Sequence, residues 1–227
     1  MLRSTKQIYG HKLEASDGEI GHVKDFYFDD RNWAIRYVVA DTGLWLPGRK
    51  VLLSPHALSG LDLTGKTLRV NLTRKQIENS PSIESHKPVS RQYEEQYYLY
   101  YGWPGYWQGN ALWGNSGSPA LGSVETPFPS GPVIDSEGAD AHLRSTQAVN
   151  GYHLQASDGT VGHVCDFIMD ARDWVIHQVV VKTGHRLSGH EVRIPVGEVD
   201  SISYEKSTMT VRLTGQAVEQ SPEHHLV

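Results

Sequence analysis

The chain has 227 residues and a formal net charge of −5, with 21% charged and 38% hydrophobic residues. This is a globular composition, and its negative balance disfavours nucleic acid and anionic membrane surfaces as partners. The one cysteine, Cys165, excludes an internal disulfide and a cysteine-based zinc site, and fits a reducing cytoplasm.

In chain order, the first twelve residues lack the apolar core of a secretion signal. No apolar run anywhere approaches the roughly 20 residues of a membrane helix. A cytoplasmic protein without an integral membrane segment is therefore expected. Residues 12–15 read as a short strand. Asp17-Gly18 reads as a type I′ hairpin turn, which needs positive φ at both central residues. Residues 19–28 read as a long strand. In it Gly21 marks a bulge or a sharp barrel corner, Val23 and Phe26 fill a core, and Asp25 accepts backbone N–H groups near a turn. Asp29-Asp30-Arg31-Asn32 is turn chemistry.

Residues 33–40, opening on Trp33, form the strongest strand pattern, rich in aromatic and β-branched side chains. Thr42-Gly43 and Pro47-Gly48 punctuate a loop. Residues 51–53, 60–63 and 67–72 read as three further strands, with Thr64-Gly65-Lys66 turning between the last two. Thr73 caps a short helix with Gln76 as its capping-box partner, and Ser80-Pro81 ends it. Six short strands at this spacing predict a closed or nearly closed barrel.

Residues 82–142 differ in kind. The run from Tyr93 to Trp107 is dense in Tyr and Trp, and residues 114–139 are rich in Gly, Ser and Pro. The second part reads as flexible linker. The aromatic part should bury area, against the chain's own barrels or a second subunit. The other reading is a docking surface for a different partner.

Residues 143–222 then repeat residues 2–81 without a gap, at a constant offset of 141. About 33 of the 80 aligned positions are identical. Leu2-Arg3-Ser4-Thr5 returns as Leu143-Arg144-Ser145-Thr146, ASDGEIGHVKDF as ASDGTVGHVCDF, and Ser80-Pro81 as Ser221-Pro222. Two copies make a duplicated domain rather than a solenoid. The expected organisation is all-β: a barrel with a short C-terminal helix over 1–81, a linker over 82–142, and a second such barrel over 143–227.

The pattern G-x-x-L-x-A-x-D-G-x-x-G-x-V-x-D-F, followed by D, W-x-I and V-V, resembles the PRC-barrel domain in both copies. That domain forms the cytoplasmic part of the photosynthetic reaction-centre H subunit and the C-terminal part of a ribosome maturation factor. The resemblance implies a small β-barrel engaged in protein contacts rather than chemistry, as in tandem PRC-barrel proteins of bacteria. The chain departs from the H subunit in lacking its N-terminal membrane helix. It departs from the ribosome factor in lacking its N-terminal barrel.

Several constellations invite catalytic readings. Gly114-Asn115-Ser116-Gly117-Ser118-Pro119 resembles the nucleophile loop of chymotrypsin-like proteases. It sits in the linker, with no histidine motif of that family before it. His22 and His163 recur at equivalent positions, but His22 and Asp25 are three apart in a strand and point to opposite faces. His185 and His190 lie in a second-copy loop, and His224 and His225 near the C-terminus. Asp25 and Asp29 are roughly 13 Å apart along one strand, beyond the spacing of a glycosidase pair. Cys165 aligns with Lys24 and has no histidine partner in the pattern.

The expectation is a non-enzymatic protein-binding or assembly scaffold, with no cofactor and no metal. Its partner is another protein or a second copy. A small-ligand or metal-responsive sensor using loop histidines is the alternative. Candidate partner-binding residues are Val38, Ala40, Val179 and Val181, apolar on the strand face opposite Trp33, Ile35 and Val39 or Trp174, Ile176 and Val180. Tyr97, Tyr101, Trp103 and Trp107 of the aromatic run complete the set.

Overall fold

The computed structural model describes residues 2–84, 89–115, 118–119, 143–184 and 189–224. Ser116, Gly117, His185, His225 and most of the Gly/Ser/Pro-rich stretch lie outside the described residues. The first copy has β1 (Leu2–Ser4), α1 (Thr5–Ile8), β2 (Lys12–Ala15), β3 (Gly18–Asp29), β4 (Ile35–Asp41), β5 (Arg49–Leu53), β6 (Leu58–Asp62), β7 (Thr67–Val70) and α2 (Arg74–Glu78). A short strand, β8 (Ile83–Glu84), and a helix, α3 (Arg91–Tyr101), follow. The second copy has β9 (Leu143–Ser145), α4 (Thr146–Val149), β10 (His153–Ala156), β11 (Gly159–Asp170), β12 (Val175–Thr183), β13 (Glu191–Pro195), β14 (Val199–Ser203), β15 (Thr208–Val211) and α5 (Gly215–Glu219). The fold is all-β with short helices, as expected.

One sheet runs β13-β12-β11-β10-β15-β14, the other β6-β7-β2-β3-β4-β5-β8. Each contains a parallel pair, β10 with β15 and β2 with β7. Among the described residues no ladder joins the two ends of either sheet, so each barrel is partly closed. The Thr73 and Gln76 capping box is present at α2.

The expected turn type differs. Positive φ falls on Gly18 (140°) and Gly159 (151°) and not on Asp17 or Asp158, so neither turn is type I′. The aspartates serve the helices instead: Asp17 accepts the Arg74 N–H at 2.8 Å, and Asp158 the Gly215 N–H at 2.7 Å. The register of β2 and β3 shifts beside Gly21, between Leu13 and Glu14, as the expected bulge requires, and glycine is needed there for a steric reason. A Cβ there would lie 2.0 Å from the Asp41 carbonyl oxygen, and one at Gly162 would lie 2.1 Å from that of Lys182.

Compact units do not follow the repeat. One comprises Met1–Ile8, Asp25–Ile35 and Arg144–Val227, the other Tyr9–Lys24 and Arg36–Leu143. Within the first unit the two copies exchange their leading segments, which is why its borders depart from 81 and 143. β1 pairs with β11, placing Leu2 opposite Asp170 and Ser4 opposite Ile168. β9 pairs with β3.

Two carboxylates fasten this exchange. The register of β11 shifts between Val164 and Asp166, a bulge that re-aims the side chains around Cys165. Buried Asp166 accepts the Ser4 hydroxyl, the Thr5 hydroxyl at 2.8 Å, the Lys6 N–H at 3.2 Å and the Phe167 N–H at 2.8 Å. Asp25 does the same for the other copy. It accepts the Ser145 hydroxyl, the Thr146 hydroxyl at 2.9 Å, the Gln147 N–H at 3.1 Å and the Phe26 N–H at 2.8 Å. The turn that Asp25 serves therefore belongs to the other copy. Burial pushes the Asp25 carboxyl above its ordinary range, outweighing the four donors that lower it.

Trp33 and Trp174 complete the contact. Their φ values are 61° and 58°, left-handed for non-glycine residues, a conformation costing about 1–3 kcal/mol each. Hence β4 begins at Ile35, two residues later than its pattern suggests. The Trp33 N–H closes the turn on the Asp29 carbonyl at 2.7 Å, while the Trp33 carbonyl accepts the Ile176 N–H at 2.9 Å. Reciprocally, the Trp174 carbonyl accepts the Ile35 N–H at 2.7 Å. Ala34 and Val175 form the antiparallel bridge between them. Both indoles are buried, and Phe28 stacks on Trp33 at 5.3 Å.

Asp166→Ala strands four donors at once, and should cost about 2–4 kcal/mol of unfolding free energy in urea titration. Asp166→Asn keeps the Oδ1 acceptor used by Thr5, Lys6 and Phe167, and should lose clearly less. Parent-like stability in the alanine variant would contradict the role assigned to this carboxylate.

Candidate functional site

The aromatic run, expected as linker, is a helix and a folded loop in the second unit. Ser90 caps α3 by accepting the Tyr93 N–H at 3.2 Å, and Gly102 ends it with φ 69°. Tyr93, Tyr97 and Tyr101 recur every four residues and so share one stripe. Glu94 and Tyr98 form the adjacent stripe, and Glu94, Tyr97 and Tyr98 are buried.

This layer is bonded to the first copy through the polar tips of its side chains. The Tyr97 hydroxyl donates to the Leu52 carbonyl at 2.8 Å and accepts the Ser54 N–H at 3.2 Å. The Tyr98 hydroxyl lies 3.2 Å from Ser54 Oγ. Glu94 is fully buried; it accepts the Tyr37 hydroxyl at 2.7 Å and the Tyr106 hydroxyl at 2.9 Å, and pairs with Arg91 at 3.0 Å. Arg36 is also buried. Its guanidinium lies 3.8 Å from the Tyr106 ring centre and 4.9 Å from that of Trp113, and donates to the Leu112 carbonyl at 2.7 Å. Aromatic residues bury well only when such tips are satisfied.

The electrostatics of the layer are set by burial. Burial pushes the phenols of Tyr37, Tyr97, Tyr98 and Tyr106 far above their ordinary range, and Tyr101 up to about 12. At neutral pH these rings are uncharged stacking surfaces. The His56 ring stacks on Trp103 at 5.7 Å and meets Tyr98 and Trp113 edge-on. Its Nδ1 lies 2.8 Å from the Pro119 carbonyl oxygen, and burial lowers its pKa. In the other unit, burial pushes the Cys165 thiol up to about 12, which keeps it from being a thiolate.

At its outer edge the layer opens. His56, Asn71, Gln76, Tyr100, Tyr101 and Trp103 line a cavity of about 450 Å³. Tyr101 stacks on Trp103 at 4.5 Å, and the Tyr100 hydroxyl donates to the Gln76 carbonyl at 3.0 Å. Leu99 is 67% exposed and Tyr100 42%.

The sequence-derived candidates divide by burial. Val38, Ala40, Val179, Val181 and Tyr97 are buried within the chain and present no surface. Tyr101, Trp103 and Trp107 are half-buried and gather in the layer with Tyr97. The most exposed neighbours, Leu99 and Tyr100, were not among the candidates; their signal was their position in the last turn of an aromatic helix. His22 is exposed opposite Lys12, while Asp25 is buried. His190 Nε2 lies 3.4 Å from the Glu219 carbonyl oxygen. Asp29 accepts the Arg31 N–H at 3.0 Å. Gly114 bridges to Ala111, so the protease-like motif starts inside the folded loop, although Ser116 and Gly117 lie outside the described residues.

Among the described residues no three or more His, Cys, Asp or Glu side chains gather as metal ligands. Among them also, no helix is long and apolar enough to cross a membrane. Residues 7–77 match the PRC-barrel domain family, so the first copy contains a PRC-barrel domain. No curated protein matches the chain.

A histidine whose folded pKa is depressed contributes stability above its unfolded value of 6.5, and that stability is lost as pH falls. Buried His11 is shifted in the same direction, so the test is a difference. Between about pH 7.5 and 5.5, the parent should lose more stability in urea than His56→Gln does. The slope belonging to this proton is at most about 1.4 kcal/mol per pH unit. Parallel pH profiles would show that His56 is not held neutral by the fold.

Proposed function

We propose that this chain, with a PRC-barrel domain in its first copy, is a non-enzymatic, cytoplasmic protein-binding or assembly scaffold. Its contact surface is the outer edge of the aromatic layer: Leu99 and Tyr100 with the half-buried Tyr101, Trp103 and Trp107. The observation that carries this reading is the exposure of Leu99 and Tyr100 beside the aromatic-walled cavity. Rings already held by stacking and hydrogen bonds lose little conformational freedom when a partner covers them, which suits them as binding anchors. The partner is a different protein or a second copy.

Leu99→Asp with Tyr100→Asp tests the surface. Both positions are exposed, so the fold should be retained, with the melting temperature lowered only by loss of the Tyr100–Gln76 hydrogen bond. Quantitative affinity capture from the source cells and sedimentation velocity should then show a protein or a second copy that is retained by the parent and lost by the variant. Identical captured sets and identical sedimentation for the two would refute the proposal.

A further inference from the structure

A second feature lies in the other unit. β10 and β11 place His153 directly opposite His163. The His153 N–H donates to the Ser207 carbonyl at 3.0 Å, on the other side of β10. The adjacent pair carries the ladder bond, from the Val164 N–H to the Tyr152 carbonyl at 2.9 Å. His153 and His163 are therefore a non-hydrogen-bonded pair. Such pairs bring the Cα atoms to about 4.5 Å and project both side chains close together on one face.

Both residues line one cavity of about 600 Å³, together with Asp158, Glu219 and Gln216. Glycines at 159, 162, 184 and 215 also line it, so much of the wall carries no side chain.

The first copy supplies an internal comparison. Lys12 stands opposite His22 there, and Lys12 pairs with Glu19 at 3.6 Å. Arg74 and Lys75 occupy the places of Gly215 and Gln216. These three cations offset Asp17, Glu19 and Glu78. In the second copy all three are gone, while Asp158 and Glu219 remain. The pair has exchanged a lysine for a second imidazole and the places of Arg74 and Lys75 carry no charge, while Lys182 stands opposite His163 on the other side of β11, where the first copy has Asp41.

We propose that His153 and His163 form a two-histidine site for a divalent transition-metal ion. Imidazole nitrogen suits copper(II), nickel(II) and zinc(II), with copper(II) bound tightest by a given donor set. Two ring nitrogens supply the protein ligands, water completes the coordination, and Asp158 and Glu219 favour the cation through their charge. Asp158 Oδ1 already accepts the Gly215 N–H, which suits it to this outer role.

The test is calorimetric titration of copper(II) and zinc(II) chloride into tag-free full-length chain, with His224→Gln and His225→Gln introduced to remove the terminal pair. One ion per chain is expected. His153→Lys restores the pairing found in the first copy and so retains the fold; it should weaken binding at least about tenfold. His153→Gln, which adds no charge, should weaken it similarly. Absence of binding in the parent overturns the proposal. So does parent-like affinity in either variant, since an ion that survives loss of the His153 imidazole is held elsewhere or by charge alone.

Discussion

Two buried carboxylates, Asp25 and Asp166, hold the ends of a reciprocal exchange, and most of the architecture of the first unit follows from them. Each gathers two hydroxyls and two N–H groups onto one side chain. Removing a carboxylate from water is costly, and such a group persists only where its lone pairs are satisfied. For Asp25 burial still dominates. The Ser-Thr pair that opens each copy is thus bound to the site that the other copy builds. Once those segments are fixed, β1 and β9 have their partner strands, and the left-handed tryptophans meet across Ala34 and Val175.

Duplication made the copies alike, but the aromatic layer makes them different. Its attachment points on the first copy are Arg36, Tyr37, Ser54 and His56. The second copy has His177, Gln178, Pro195 and Gly197 at these places. His177 is exposed and Gln178 half-buried, whereas Arg36 and Tyr37 are buried. Donors and rings needed to seat α3 exist in one barrel only. The layer therefore has one address in the chain.

Much of the fold was legible because local chemistry and the fold agree. Strand alternation and the capping box at Thr73 act over a few residues, and the glycine at 21 stands out within a strand pattern although the carbonyl that requires it, that of Asp41, belongs to the next strand. The exchange was not legible: identical Leu-Arg-Ser-Thr segments look the same whether each pairs within its own copy or with the other. Trp33 was misread because its ring and neighbours suggest a strand, and tertiary hydrogen bonds hold its φ positive. The register of β11 also escaped, since the side-chain period of two cannot foresee the bulge beside Cys165. For the candidate site, the helix signals were present at Ser90, at the four-residue tyrosine spacing and at Gly102. Aromatic density masked them, because β propensity and helical periodicity compete for the same residues. Burial of Val38 and Val179 while Leu99 stays exposed is a tertiary outcome that strand patterns do not encode.

The exchange also sets an order of events during synthesis. Ser4 must wait for Asp166, 162 residues later. At ordinary elongation rates the nascent chain spends roughly 4–17 s with the whole first copy made and its partner absent. In that interval β3 has no β9 beside it, and the Asp25 carboxylate lacks the Ser145 and Thr146 hydroxyls it later binds. An unpaired strand edge is a template for the wrong chain. On a polysome the neighbouring nascent chain carries the same Leu-Arg-Ser-Thr sequence, so the edge left open in that interval is one that a second chain can also fit.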